Sequence, residues 1–135
     1  MELPHNSHVA VVDGERFVLF RNAGSSAEPR LEDAQEVSVE GENFSAGVKH
    51  QDPVSQRHGR TDLEELAHAT AAAEWLNRAA LDGTIEKLVV IADPKSLGEM
   101  RRHYHGKLEE MLVGEVDKTM TGEPADKIAK AIAAA

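Results

Sequence analysis

Two stretches near the start of the chain, Val9-Ala10-Val11-Val12 and Phe17-Val18-Leu19-Phe20, are apolar at every position. A strand with one wet face alternates apolar and polar residues, so a strand that is apolar throughout has both faces covered. The two runs therefore predict central strands of a sheet with packed layers above and below. Between them lies Asp13-Gly14, residue types that tolerate the positive φ of a tight turn, and the whole reads as a β-hairpin. A further run, Lys87-Leu88-Val89-Val90-Ile91-Ala92, predicts another buried strand.

The most secure helix starts at Thr61 and Glu64, a T-x-x-E capping box in which each side chain satisfies a backbone N–H of the first turn. Leu63, Leu66, Ala69, Ala73, Leu76 and Ala80 recur on one face of it, and Asp82-Gly83 ends it. Its alanines (Ala71, Ala72, Ala73) predict close approach to a sheet. Asp93-Pro94 predicts a second helix start, with Asp93 as N-cap and Pro94 in the first turn. Leu97, Met100, Arg101 and Tyr104 continue that helix, and Gly106 is read as its end. Met111 to Asp117 supplies another strand. From Pro124 a last helix turns Ile128, Ala129 and Ile132 inward, with Asp126 and Lys130 paired outside. Alternation over Ala34–Glu40 predicts a more exposed strand, at an edge.

The order is β-β-β-α-β-α-β-α. This is an α/β chain forming one three-layer domain around a mixed five-stranded sheet, in the order of the ribonuclease-H-like fold, with strands one, four and five parallel and their crossovers right-handed. Its 135 residues suit a single domain. Residues 1–7 read as a loose leader. The polar stretch 41–60 is long for a structureless connection, which marks it as mobile or functional.

Charge and composition narrow the function. With 15 Lys and Arg against 24 Asp and Glu, the formal net charge is −9. General coating of DNA or RNA and binding to anionic membranes both run against that balance. No cysteine is present, which removes disulfides, thiolate metal sites and a cysteine nucleophile. The chain shows no secretory leader and no membrane span, so a cytoplasmic protein is expected. There is no G-x-S-x-G elbow, phosphate-binding glycine loop or zinc-ligand spacing.

Three groups of residues carry the candidate chemistry. Asp13 and Asp93 each follow an apolar strand directly, and in this topology those strands are parallel neighbours. Their carboxylates could hold Mg²⁺ or Mn²⁺ at the carboxyl edge of the sheet, or serve as a turn residue and a helix cap. Arg57, His58 and Arg60 form a small basic cluster just before the long helix, where two guanidinium groups and backbone N–H groups can take a phosphate or an acidic partner. Seven histidines are present, among them His58, His68, His103 and His105, in no spacing that builds a metal site.

The Val9–Asn22 opening, Gly59-Arg60 before the long helix, Ala92-Asp93-Pro94-x-x-Leu97-Gly98-x-Met100-Arg101 and Val116-Asp117-Lys118-x-Met120-Thr121 resemble the bacterial host attachment protein family. That resemblance spans nearly the whole chain. It implies a fold similar to the ribonuclease-H-like middle domain of eukaryotic and archaeal translation release factors. In that domain a Gly-Gly-Gln loop before the long helix promotes peptidyl-tRNA hydrolysis, whereas here the loop reads Arg57-His58-Gly59-Arg60-Thr61. The expectation is a non-enzymatic cytoplasmic binding or regulatory domain without a cofactor. Its expected partner is a protein, RNA or the ribosome, contacted by Arg57, His58 and Arg60. The alternative is a metal-dependent phosphoryl-transfer enzyme using Asp13 and Asp93.

Overall fold

The computed structural model describes residues 1–39 and 61–135. Five strands form one mixed sheet: β1 (His8–Val12), β2 (Phe17–Asn22), β3 (Leu31–Glu36), β4 (Leu88–Ala92) and β5 (Leu112–Asp117). Their spatial order is β3-β2-β1-β4-β5. β1 runs antiparallel to β2 and parallel to β4, and β4 is parallel to β5. The helices are α1 (Asp62–Leu81), α2 (Pro94–Arg101), α3 (Gly106–Met111) and α4 (Ala125–Ala134).

The continuous apolar runs of β1 and β4 occupy the middle of this sheet because each alternate residue has a layer to pack against. Ala10, Val12, Leu88 and Val90 join a core with Ala69, Ala72, Ala73 and Leu76 of α1, Leu97 and Met100 of α2 and Leu108 of α3. Val9, Val11, Val89 and Ile91 face the opposite way, onto Ile128 and Ile132 of α4 and Leu3. The domain is thus the expected three-layer α/β arrangement. Leu3 and Ser7 are buried, so the leader is part of the packing rather than loose.

Both helix starts follow their local signals. Thr61 accepts from the backbone N–H of Glu64 at 3.1 Å, while Glu64 accepts from the Thr61 N–H at 3.2 Å. Asp93 accepts from the Ser96 N–H at 3.1 Å, with Pro94 in the first turn. Asp82 caps the end of α1, and Gly83 beyond it takes φ +83°, the left-handed value that favours glycine.

Several expectations are corrected. On α1 the expected Ala69, Ala73, Leu76 and Ala80 are buried, but Leu63 is 45% exposed, because the buried face begins only at Ala67 and widens through His68, Ala72 and Asn77. β3 begins at Leu31, three residues before the predicted start at Ala34, and only its first residue is buried. As the outermost of the described strands it pairs only with β2 among them, so its own sequence fixes its bounds weakly. Gly106 does not end α2, which stops at Arg101; it opens a separate short helix, α3, that the sequence order lacked. The ion pair beside α4 joins Lys127 to Glu123 at 3.4 Å, and among the described residues none joins the expected Asp126 and Lys130.

Candidate functional site

The carboxyl ends of β1 and β4 are in register, with Val12 beside Ala92, so Asp13 and Asp93 leave the sheet as neighbours. β5 ends next to them, with Asp117 beside Ala92. The predicted adjacency of the two acidic positions is therefore present in the fold. What each carboxylate does there is set by its own hydrogen bonds.

Asp13 opens a four-residue connection to β2, not a two-residue tight turn. Its N–H donates to the Arg16 carbonyl at 3.0 Å, and its Oδ1 accepts from the N–H groups of Glu15 at 2.8 Å and Arg16 at 2.7 Å. No positive φ is used at Asp13 or Gly14. Gly14 is required for a different reason: a Cβ there would lie 2.6 Å from Cγ of Glu65 on α1. The glycine lets the first turns of the long helix press against the loop.

Two distant side chains complete the arrangement. Thr121, in the connection between β5 and α4, donates its hydroxyl to Oδ2 of Asp13. His68, 2% exposed on α1, contacts the Asp13 carbonyl oxygen through Nδ1 at 2.8 Å. A carbonyl oxygen only accepts, so Nδ1 carries the proton in this contact. Partial burial pushes the Asp13 carboxyl upward. The bonds from Thr121, Glu15 and Arg16 and the charge of His68 outweigh it, and hold the pKa below the usual carboxylate range. Asp13 thereby ties β1, α1 and the segment before α4 together at one edge of the sheet.

Asp93 spends Oδ2 on its helix cap, and its Oδ1 is buried without a hydrogen-bond partner among the described residues. Lys95, one residue past Pro94, forms ion pairs with Asp62 and with Glu65, the latter at 3.0 Å, fastening α2 to the first turn of α1. The first turn of α1 is thus acidic, with Asp62, Glu64 and Glu65, and Lys95 pairs with the first and last of these. Among the described residues no group of three or more histidine, aspartate or glutamate side chains is placed to hold a metal ion. Beyond Arg16 a recess of about 350 Å³ runs under Thr121 and Gly122, floored by Val11, Val18, Phe20 and Ile128.

Arg57, His58 and Arg60, like the whole 41–60 stretch and Glu40, lie outside the described residues; Thr61, the cap that follows them, stands at the edge just described. Trp75 is partly buried and meets Phe17 edge to face at 5.3 Å, a packing role. The partners that sequence reasoning missed are Thr121 and His68. They lie 108 and 55 residues from Asp13, and no local pattern links them to it.

No helix among the described residues is long and apolar enough to cross a membrane. No curated protein matches the chain. The sequence model of bacterial archaeo-eukaryotic release factor family 12 matches residues 6–132, from before β1 into α4. The chain belongs to that family. The match carries the release-factor-like side of the expected resemblance; it does not carry the host attachment name.

Proposed function

We propose that this member of bacterial archaeo-eukaryotic release factor family 12 is a cytoplasmic binding or regulatory domain of the translation apparatus, working without catalysis or cofactor. The observation that carries the reading is the family match over nearly the full chain. Arg57, His58 and Arg60 are its contact residues, directed at a phosphate of ribosomal RNA or at an acidic protein surface. They precede the capped start of α1, the position of the Gly-Gly-Gln loop in the release factors that the chain resembles. The residues here, Gln56-Arg57-His58-Gly59-Arg60-Thr61, include neither paired glycines nor a following glutamine. Peptidyl-tRNA hydrolysis is therefore not part of the proposal.

A chain of net charge −9 does not bind RNA through broad electrostatics. Contact through two arginines predicts a shallow salt dependence, a slope of roughly −1.4 to −1.8 in log affinity against log salt. The experiment is co-sedimentation with purified ribosomes, comparing the native chain with the Arg57→Ala/Arg60→Ala double variant. Loss of binding at an unchanged melting temperature supports the reading. Equal binding by both proteins, or none by either, removes these residues from the function.

The alternative, phosphoryl transfer with Mg²⁺ or Mn²⁺ at Asp13 and Asp93, draws on their adjacency and on the unpartnered Oδ1 of Asp93. Against it stands the use of both Asp13 oxygens and of Asp93 Oδ2 by the fold itself. A Mn²⁺ titration followed on backbone amides separates the two, since broadening confined to residues 13 and 93 would favour the enzyme.

A further inference from the structure

The first turn of α2 carries a cation at the end of a helix where the backbone dipole disfavours one: Lys95 is the charged residue of the turn Pro94-Lys95-Ser96-Leu97. Its partners come from the other helix. Nζ contacts Asp62 and, at 3.0 Å, Glu65, both in the first turn of α1. The packing of the two helices does not depend on this link. Leu97 and Met100 share a core with Ala69, Ala72 and Ala73, and Thr70 donates to Glu99 at 3.2 Å. Ion pairs on the surface add little to such an interface, and the Asp62 side chain is 89% exposed. What Lys95 changes is the charge at the start of α1.

Three carboxylates stand in that first turn, and each has a holder. Glu64 is turned back by the capping box, accepting from the Thr61 N–H at 3.2 Å and the Thr61 hydroxyl at 3.0 Å. Asp62 and Glu65 are held by Lys95. Along the chain, Thr61 alone separates Asp62 from Arg60. A carboxylate left without its counter-charge there would compete for the Arg60 guanidinium and repel any phosphate approaching it. From this arrangement we infer that Lys95 is a positioning residue for anion contact: by neutralising Asp62 and Glu65 it leaves Arg57 and Arg60 to meet a ribosomal RNA phosphate rather than the chain's own carboxylates. The inference rests on the reading of Arg57 and Arg60 as contact residues. It adds a residue from α2, 35 positions beyond Arg60, that no local pattern joins to them.

Co-sedimentation with purified ribosomes at roughly 0.1 M salt tests it, so that exposed charges are only partly screened. The proteins are the native chain, Lys95→Met, Lys95→Arg and the double variant Lys95→Met/Asp62→Asn. The double variant keeps the native net charge and has no cation on α2. Lys95→Met binds roughly threefold more weakly, Lys95→Arg binds as the native chain does, and the double variant recovers. Melting temperatures stay close throughout, since the buried core joins the helices. Native binding by Lys95→Met overturns the inference. So does a loss that the double variant leaves unrepaired, because lysine would then be fastening the helices or touching the ribosome itself. Excess protein-free ribosomal RNA displaces the native chain from ribosomes; no displacement assigns the contact to an acidic protein surface and overturns the choice of phosphate. Arg57→Ala/Arg60→Ala in the same series separates the two failures. If that variant binds like the native chain, the arginine reading falls and this inference with it; if it alone loses binding, only the role of Lys95 falls.

Discussion

Replacing Asp13 by asparagine removes the charge and leaves the shape. In the native chain one carboxylate accepts two backbone N–H groups at 2.8 and 2.7 Å and the Thr121 hydroxyl. Hydrogen bonds to a charged group contribute about 1.5–3 kcal/mol each, against about 0.5–1.5 for neutral pairs. The loop is partly exposed, so solvent screens part of that difference, and an amide oxygen still accepts from Glu15 and Arg16. The expected cost of Asp13→Asn at neutral pH is therefore about 1–2 kcal/mol, read as a lower urea midpoint at unchanged slope.

Acid supplies the control. The folded pKa of Asp13 lies below its unfolded value. Its stabilisation is therefore fully present above the unfolded value, near 3.9, and is lost as pH falls through the folded one. The stability gap between the native chain and Asp13→Asn should hold from about pH 7 to about pH 5 and close on further acidification. Urea unfolding followed by circular dichroism at a series of pH values measures this directly. A gap under about 0.5 kcal/mol at neutral pH, or one that persists undiminished into acid, would show that the carboxylate does not hold the β1–β2 connection to the Thr121 segment.

Gly14→Ala should destabilise by about 1–3 kcal/mol, and Glu65→Ala should recover part of it by removing Cγ but not the Glu65 Cβ, which would lie 2.9 Å from the added methyl. Full tolerance of Gly14→Ala in a denaturation curve would refute the close approach. Asp93→Ser should stay within about 0.5 kcal/mol of the native chain, since serine caps as well as aspartate and takes away the unpartnered Oδ1. Asp93→Ala should lose about 1 kcal/mol. Tyr104, the one tyrosine, is pushed well above its ordinary pKa by burial, then by the charge and hydrogen bond of Glu115. Ultraviolet titration should show no tyrosinate where a free tyrosine is half ionised, near pH 10; a normal midpoint would mean the ring is not enclosed.

The sequence by itself determined what is local. Continuous apolar runs made β1, β2 and β4 buried strands, because no other strand environment tolerates such runs, and the Thr61–Glu64 box and Asp93-Pro94 set two helix starts through contacts within four residues. The same locality explains the misses at β3 and Gly106, where edge pairing and packing on α1, not neighbouring residues, set the boundaries. Only the tertiary structure decided what Asp13 and Gly14 are for. The dipeptide spelled a tight turn, yet the fold uses Asp13 as a junction for Thr121 and His68 and Gly14 as room for Glu65. Those partners lie 51 to 108 residues away along the chain. Short-range sequence patterns carry no record of them, because the energy that selects them appears only once the sheet has brought the segments together.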